Sequence, residues 1–234
     1  MNNTIRIDKY LSALQLLSRR EAKKFFRDGR VMLNGYIEYD HGFHIIDGDS
    51  ITIDEDLTFE VKQMVTLLLN KPAGYVCSEI DEATHKSYKH LLEDCIYGPM
   101  LKVAGRLDQD TTWLVLVTSD GVLNHRLTSP KSGKEKEYRV TCEKEVSDKD
   151  LIKLEEGVEI EPWLVTLPAK TVRIDAFSFY LILVEGKYHQ VKRMCEAVDN
   201  HCVALQRIRL ANWTIEGLPE GEWKFIDGSL FDPK

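Results

Sequence analysis

Apolar positions recur along this chain with two different periods. Ile7, Leu11, Leu14 and Leu17 fall three or four residues apart, the spacing of a helix with one apolar stripe. Ser18-Arg19-Arg20-Glu21 has capping-box spacing, in which serine and glutamate side chains each satisfy a backbone N–H at a helix start. A second helix is therefore predicted through about Asp28. Val31-Met32-Leu33 then runs into Asn34-Gly35, a tight-turn dipeptide, and Gly48-Asp49 marks another turn before Ile51-Thr52-Ile53. The first part thus reads as helix, helix and a short hairpin-rich β unit. An acidic stretch near Asp54 to Gln63, poor in apolar residues, serves as linker. Val65 to Leu69 and Trp113 to Val117 are fully apolar runs of strand length, and Asn70 to Gly74 reads as a turn between them. The expected division is residues 1–60, with the linker, and residues 61–234.

Composition narrows the reading. The 234 residues carry a formal net charge of −7, so any polyanion-binding surface has to be a local basic patch. One is visible. Arg6 to Arg30 holds eight basic residues against three acidic ones, whereas Glu38 to Glu60 holds eight acidic residues and no Lys or Arg. No apolar run approaches the roughly 20 residues that cross a bilayer, and Met1 to Tyr10 has no signal-peptide core. A soluble cytoplasmic protein is expected. The five cysteines are odd in number and contain no Cys-x-x-Cys pair, which predicts reduced, buried thiols and neither a disulfide framework nor a zinc knuckle.

A resemblance adds to the basic patch. Ile5-Arg6-Ile7-Asp8-Lys9-Tyr10-Leu11, Ser18-Arg19-Arg20-Glu21-Ala22 and Gly29-Arg30-Val31-Met32-Leu33-Asn34-Gly35 resemble, in order, a small RNA-binding domain shared by a small-subunit ribosomal protein and several RNA-modifying enzymes. The resemblance implies that the helix pair docks on RNA phosphates, with Arg6, Lys9, Arg19, Arg20, Lys23 and Arg27 as candidate contacts.

In the second part, Gly105-Arg106-Leu107-Asp108-Gln109-Asp110-Thr111-Thr112 precedes the Trp113 to Val117 run. A polar loop leading into a buried strand is a common support for a reactive side chain. On chemistry alone the Asp108/Asp110 pair is open between paired carboxylates, a metal site and aspartates that brace a loop. The Gly-Arg-Leu-Asp-x-Asp-Thr sequence, with Thr118-Ser119-Asp120-Gly121 beyond the strand, resembles the signature of pseudouridine synthases. Leu69-Asn70-Lys71-Pro72-Ala73-Gly74 upstream matches as well. Downstream, Lys136-Glu137-Tyr138-Arg139-Val140, Glu185 to Met194 and Leu205 to Leu210 follow in the family's order. The compact form is similar to the RsuA type, which modifies small-subunit ribosomal RNA.

That resemblance implies an α/β (α+β) fold, with the small RNA-binding domain joined to a synthase domain built on a mainly antiparallel mixed sheet. It implies Asp108 as the essential carboxylate, Lys192 as its cation with Arg193 as second choice, and Tyr138 packing beside the target base. Arg106, Arg193 and Arg207 are further candidate RNA contacts, and Asp110 and Thr111 brace the loop. The implied partner is ribosomal RNA, naked or in a small-subunit assembly intermediate, bound by a monomer without a membrane. No cofactor or metal is implied, since the reaction is an isomerisation and no His/Cys ligand spacing or glycine-rich nucleotide loop is present. Alternatives are a large-subunit synthase, a catalytically silent ribosome-assembly factor, or a methyltransferase, against which the missing cofactor loop argues. One departure stands out: the family usually has glycine where this chain has Trp113. A required positive φ would make Trp cost roughly 1–2 kcal/mol. A strand residue packing outward would be harmless, and that reading is preferred.

Overall fold

The computed structural model describes residues 4–129 and 132–230, which form two compact units. Of the described residues, the first comprises those up to 65 together with 93–101, and the second comprises 66–92 and those from 102 onward. The break falls a few residues beyond the expected one, and the expected division did not foresee that residues 93–101 return to the first unit. The Tyr97 hydroxyl fastens this return by donating to the Glu60 carbonyl (2.6 Å).

In the first unit, helices span Ile7–Ala13 and Arg19–Arg27. The capping box forms as predicted: Glu21 N–H donates to Ser18 Oγ (3.2 Å) and Ser18 N–H to Glu21 Oε2 (2.8 Å). Strands Tyr36–Ile37, Val31–Leu33, Ser50–Ile53 and Leu57–Glu60 make an antiparallel sheet in that order. Asn34 and Gly35 turn the first hairpin with φ of 52° and 84°, the left-handed pair that matches strand twist. Ile7, Leu11, Ala22, Phe26, Val31 and Ile51 are fully buried and form the core. Burying a side chain of Phe26's size contributes roughly 1.5–3 kcal/mol.

Some of the basic helix charge is structural. Arg6 donates through Nε and Nη2 to both oxygens of the buried Asp8 (3.1 and 2.9 Å), and Arg19 approaches that carboxylate at 3.9 Å. Arg27 pairs with Asp28 at 3.1 Å. Lys9, Arg20 and Lys23 are exposed and have no ion-pair partner among the described residues. Hydrogen bonds from Arg6, working against burial, hold the Asp8 carboxyl down to about 2. Because this value lies below the ordinary one, the stabilisation is complete above about pH 4 and is lost as pH falls toward 2. Asp8→Asn is therefore expected to cost about 1–2 kcal/mol at pH 7, allowing for solvent screening around the exposed arginines. Urea unfolding at pH 7 and at pH 2.5 checks it: the gap between variant and parent must shrink at the lower pH.

The second unit is built on a nine-stranded sheet. Its main path runs through strands Lys170–Arg173, Ser178–Leu183, Lys136–Cys142, Cys202–Leu210, Thr112–Thr118, Thr66–Lys71 and Trp223–Phe225. Lys102–Ala104 adds to Thr112–Thr118, and Trp213–Thr214 to Cys202–Leu210. All pairings are antiparallel except Thr112–Thr118 with Cys202–Leu210, so the sheet is mixed and mainly antiparallel, as expected. The Thr66–Lys71 strand is buried at every position. It extends through Asn70 and Lys71, which the sequence reading assigned to a turn. Leu68, Leu114, Leu116, Leu123, Leu127 and Leu210 meet on one side of the sheet as a single core cluster. All five cysteines are buried free thiols. No helix among the described residues is long and apolar enough to cross a membrane.

Candidate active site

The parallel junction puts Trp113 opposite Arg207, and the polar loop of residues 105–111 enters the sheet at that point. Five hydrogen bonds pin the loop. Arg207 Nη2 donates to the Gly105 carbonyl (3.0 Å), and Leu107 N–H reaches Cys77 Sγ (3.4 Å). Lys71 Nζ and Gly74 N–H both donate to the Gln109 carbonyl (3.2 and 2.9 Å). Thr111 N–H closes the turn on the Asp108 carbonyl (3.2 Å). Gly105 has φ of +87°, the conformation that favours glycine, while a Cβ there would make only ordinary contact with Arg207 Nη1 at 3.5 Å.

Asp108 emerges from this frame into an open cleft of about 790 Å³, within the roughly 300–1,000 Å³ of pockets that take small-molecule-sized groups. Its side chain is 29% exposed. Each carboxylate oxygen has a nitrogen nearby: Lys192 Nζ lies 3.3 Å from Oδ2, and His189 Nε2 lies 3.4 Å from Oδ1. Both partners come from one segment, since His189 caps the Gln190–Glu196 helix that carries Lys192. Lys192 makes its shorter contact, 2.6 Å, with Asp110. Burial would lower the Lys192 ammonium, but hydrogen bonding and charge from Asp110 and Asp108 raise it above its ordinary value. Burial likewise pushes Asp110 up, and Lys192 overrides it, so the Asp110 carboxyl sits below the ordinary range. The arrangement can hold a carboxylate oriented and open to a substrate.

Tyr138 is buried in the strand Lys136–Cys142 and lines the same cleft. Arg106 lines it too, exposed and with no hydrogen-bond or ion-pair partner among the described residues. Asp108, Tyr138, Lys192 and Arg106 are thus brought together. Two expected residues are placed otherwise. Arg193 is committed to structure: its Nη1 and Nη2 donate to the Tyr188 and Ile160 carbonyls (both 2.9 Å), and it pairs with Glu161. It is therefore neither the cation of Asp108 nor a free phosphate contact. Arg207 is 1% exposed and lies beneath the loop, with Nε on the Leu114 carbonyl (2.8 Å), so it braces the site from inside and is no surface RNA contact.

The sequence reading missed His189, Lys71 and Tyr188. His189 adopts a left-handed conformation (φ 48°) that no local signal announces, and Tyr188, 76% exposed, stacks on it at 3.8 Å. Lys71 sits in a quoted motif, but its burial depends on strand pairing.

The structure also corrects the preferred reading of Trp113. Its φ is +80°, the conformation that favours glycine, and its ring packs against the Leu68–Leu116 core cluster. Backbone strain of roughly 1–2 kcal/mol is offset by that packing. Trp113→Gly is expected to change stability by no more than about 1 kcal/mol and activity by less than about tenfold. Turnover of the purified variant tests this, and a larger gain would mean that the Trp side chain obstructs the cleft.

Comparison with known proteins agrees with this geometry. The RNA pseudouridylate synthase family matches residues 65–197. Ribosomal small subunit pseudouridine synthase A of Escherichia coli K12 is 36% identical over 222 residues, spanning 94% of this chain and 95% of its own. Its Haemophilus influenzae counterpart is 37% identical over 94% of this chain and 95% of its own. A crystal structure of a pseudouridylate synthase superposes with a TM-score of 0.67 at 35% identity, covering 96% of this chain and 97% of the other. With a match across more than half its length and relatives of this similarity, the chain belongs to the RNA pseudouridylate synthase family.

Proposed function

We propose that the protein isomerises one uridine to pseudouridine in small-subunit ribosomal RNA, with Asp108 as the catalytic carboxylate. The observation that carries this reading is Asp108 held between Lys192 and His189, in a cleft also lined by Tyr138 and Arg106. The relatives named for small-subunit RNA supply the substrate class. The reaction breaks the bond from C1′ to N1, joins C1′ to C5, releases the C5 proton and leaves a proton on N1. An ionised Asp108 can attack C1′, add to the uracil ring or take a proton from C2′. Tyr138 offers an aromatic face to the target base, and Lys192, 3.3 Å from the carboxylate, orients it. The uridine must leave its stack to reach the cleft, and Arg106 contacts the backbone beside it. Lys9, Arg20 and Lys23 supply phosphate contacts on the first unit. The reading takes the protein as a monomer acting in the cytoplasm on naked or partly assembled ribosomal RNA.

Pseudouridine mapping of ribosomal RNA from cells with and without the protein tests this. One small-subunit site that depends on the protein is expected. A dependent site in large-subunit RNA would keep the chemistry and overturn the substrate, and identical maps would overturn the function.

A further inference from the structure

The cleft contains more positive charge than Asp108 requires. Strand alternation turns Glu135 and Glu137 toward Arg209, which binds both (2.9 and 2.7 Å). The intervening residue, Lys136, and its neighbour two along, Tyr138, line the cleft instead. Lys136 is half-buried, yet its ammonium has no hydrogen-bond or ion-pair partner among the described residues. Tyr138 is the register partner of Arg207, which places a second cation beside it. Arg207 is buried and donates to two backbone carbonyls, with no carboxylate within ion-pair distance among the described residues. Glu185, the acid nearest in charge to Lys136, is held by Lys187, Gln190 and the Leu167 N–H.

A buried cation and a half-buried one without a carboxylate between them repel each other, and neither recovers the solvation that burial removes. Burial first, and then the Arg207 charge, lowers the Lys136 ammonium from its ordinary value. Such an arrangement is unfavourable in the free protein and becomes favourable when an anion enters.

We propose that Lys136 is an anion-binding residue of the cleft, backed by the fixed charge of Arg207, and that it takes negative charge on the target nucleotide. Two groups of the nucleotide carry such charge: its phosphate, and the uracil ring once the bond from C1′ to N1 has broken and the electron pair has moved onto the base. The inference rests on the proposed RNA substrate.

The test uses full-length protein and small-subunit ribosomal RNA labelled with [5-³H]uridine from cells lacking the protein, and follows tritium release at C5 in single turnovers. Lys136→Met is expected to lose at least about tenfold, and Lys136→Arg to recover most of it. A loss in rate at saturating RNA with unchanged binding assigns the charge to the uracil ring. A loss in affinity, with the logarithmic salt dependence of binding shallower by about 0.7, assigns it to a phosphate. Thermal melting separates this from a structural role: Lys136→Met should melt at or above the parent temperature, because an unpaired, half-buried charge beside Arg207 has been removed. Lys136→Met that turns over within threefold of the parent, or that loses activity while melting at a lower temperature, overturns the inference. Absence of tritium release by the parent protein would instead overturn the proposed function, and the melting comparison would still report on the charge at Lys136.

Discussion

Asp108→Asn should reduce tritium release from uridine-labelled RNA by about a thousandfold or more while leaving the fold intact. The amide keeps the shape of the carboxylate but is neither a nucleophile nor a base. The side chain is only partly buried, and Lys192 keeps its 2.6 Å contact with Asp110, so the helix that carries it stays anchored. Stability should therefore move by no more than about 1 kcal/mol, as urea unfolding can verify. Asp110→Asn is the informative companion. It removes the shorter of the two Lys192 contacts but leaves the Asp108 carboxylate, so its loss should be closer to tenfold. Should Asp108→Asn retain a tenth of the activity, or Asp110→Asn prove the more damaging, the assignment of the catalytic carboxylate fails.

Lys71→Met is expected to have the second largest effect, on stability and turnover together. Lys71 is completely buried, and its ammonium donates to the carbonyls of Pro72, Tyr75 and Gln109 (2.9, 2.8 and 3.2 Å). Burial lowers the ammonium below its ordinary value, and Cys77, Asp110 and Asp108 pull in the other direction. Methionine fills similar space but satisfies none of the three carbonyls. The Gln109 carbonyl retains Gly74 N–H, whereas the turn from Pro72 to Tyr75 loses its shared donor. The cost should be about 2–4 kcal/mol by urea unfolding. Because Gln109 follows Asp108 directly, activity at a temperature where the variant is folded should fall about a hundredfold, since small displacements of a reacting group are expensive. A destabilised variant with parental turnover would show that Lys71 supports the fold but not the position of Asp108.

Much of this protein is legible in its sequence, because much of it is decided within a few residues. The capping box at Ser18 and Glu21, the Asn34-Gly35 turn and the apolar strands of the second unit formed where periodicity and turn chemistry placed them. The ordered motif blocks led to Asp108, Tyr138 and Lys192, which the fold brings to one locality. Alternation within Lys136-Glu137-Tyr138 already put Lys136 and Tyr138 on one face. Only the sheet decided that this face looks into the cleft.

The remainder depended on contacts between distant parts of the chain. Lys192 meets Asp110 across 82 positions, and Arg207 meets the Leu114 and Gly105 carbonyls across 93 and 102. Such meetings are set by strand register, which a local pattern does not encode. That is why Arg207 and Arg193, cationic and near the motifs, read as RNA contacts in the sequence and turned out to be internal braces. It is also why Trp113, an ordinary strand residue by propensity, carries a left-handed backbone: the parallel junction with the Arg207 strand forms at that residue. The sequence by itself determined the two helices and the Asn34-Gly35 turn of the first unit, the two apolar strands of the second and which carboxylate to suspect. The tertiary structure alone decided which cations surround that carboxylate and which are locked away from it, because hydrogen-bond partners are chosen by proximity in space and not along the chain.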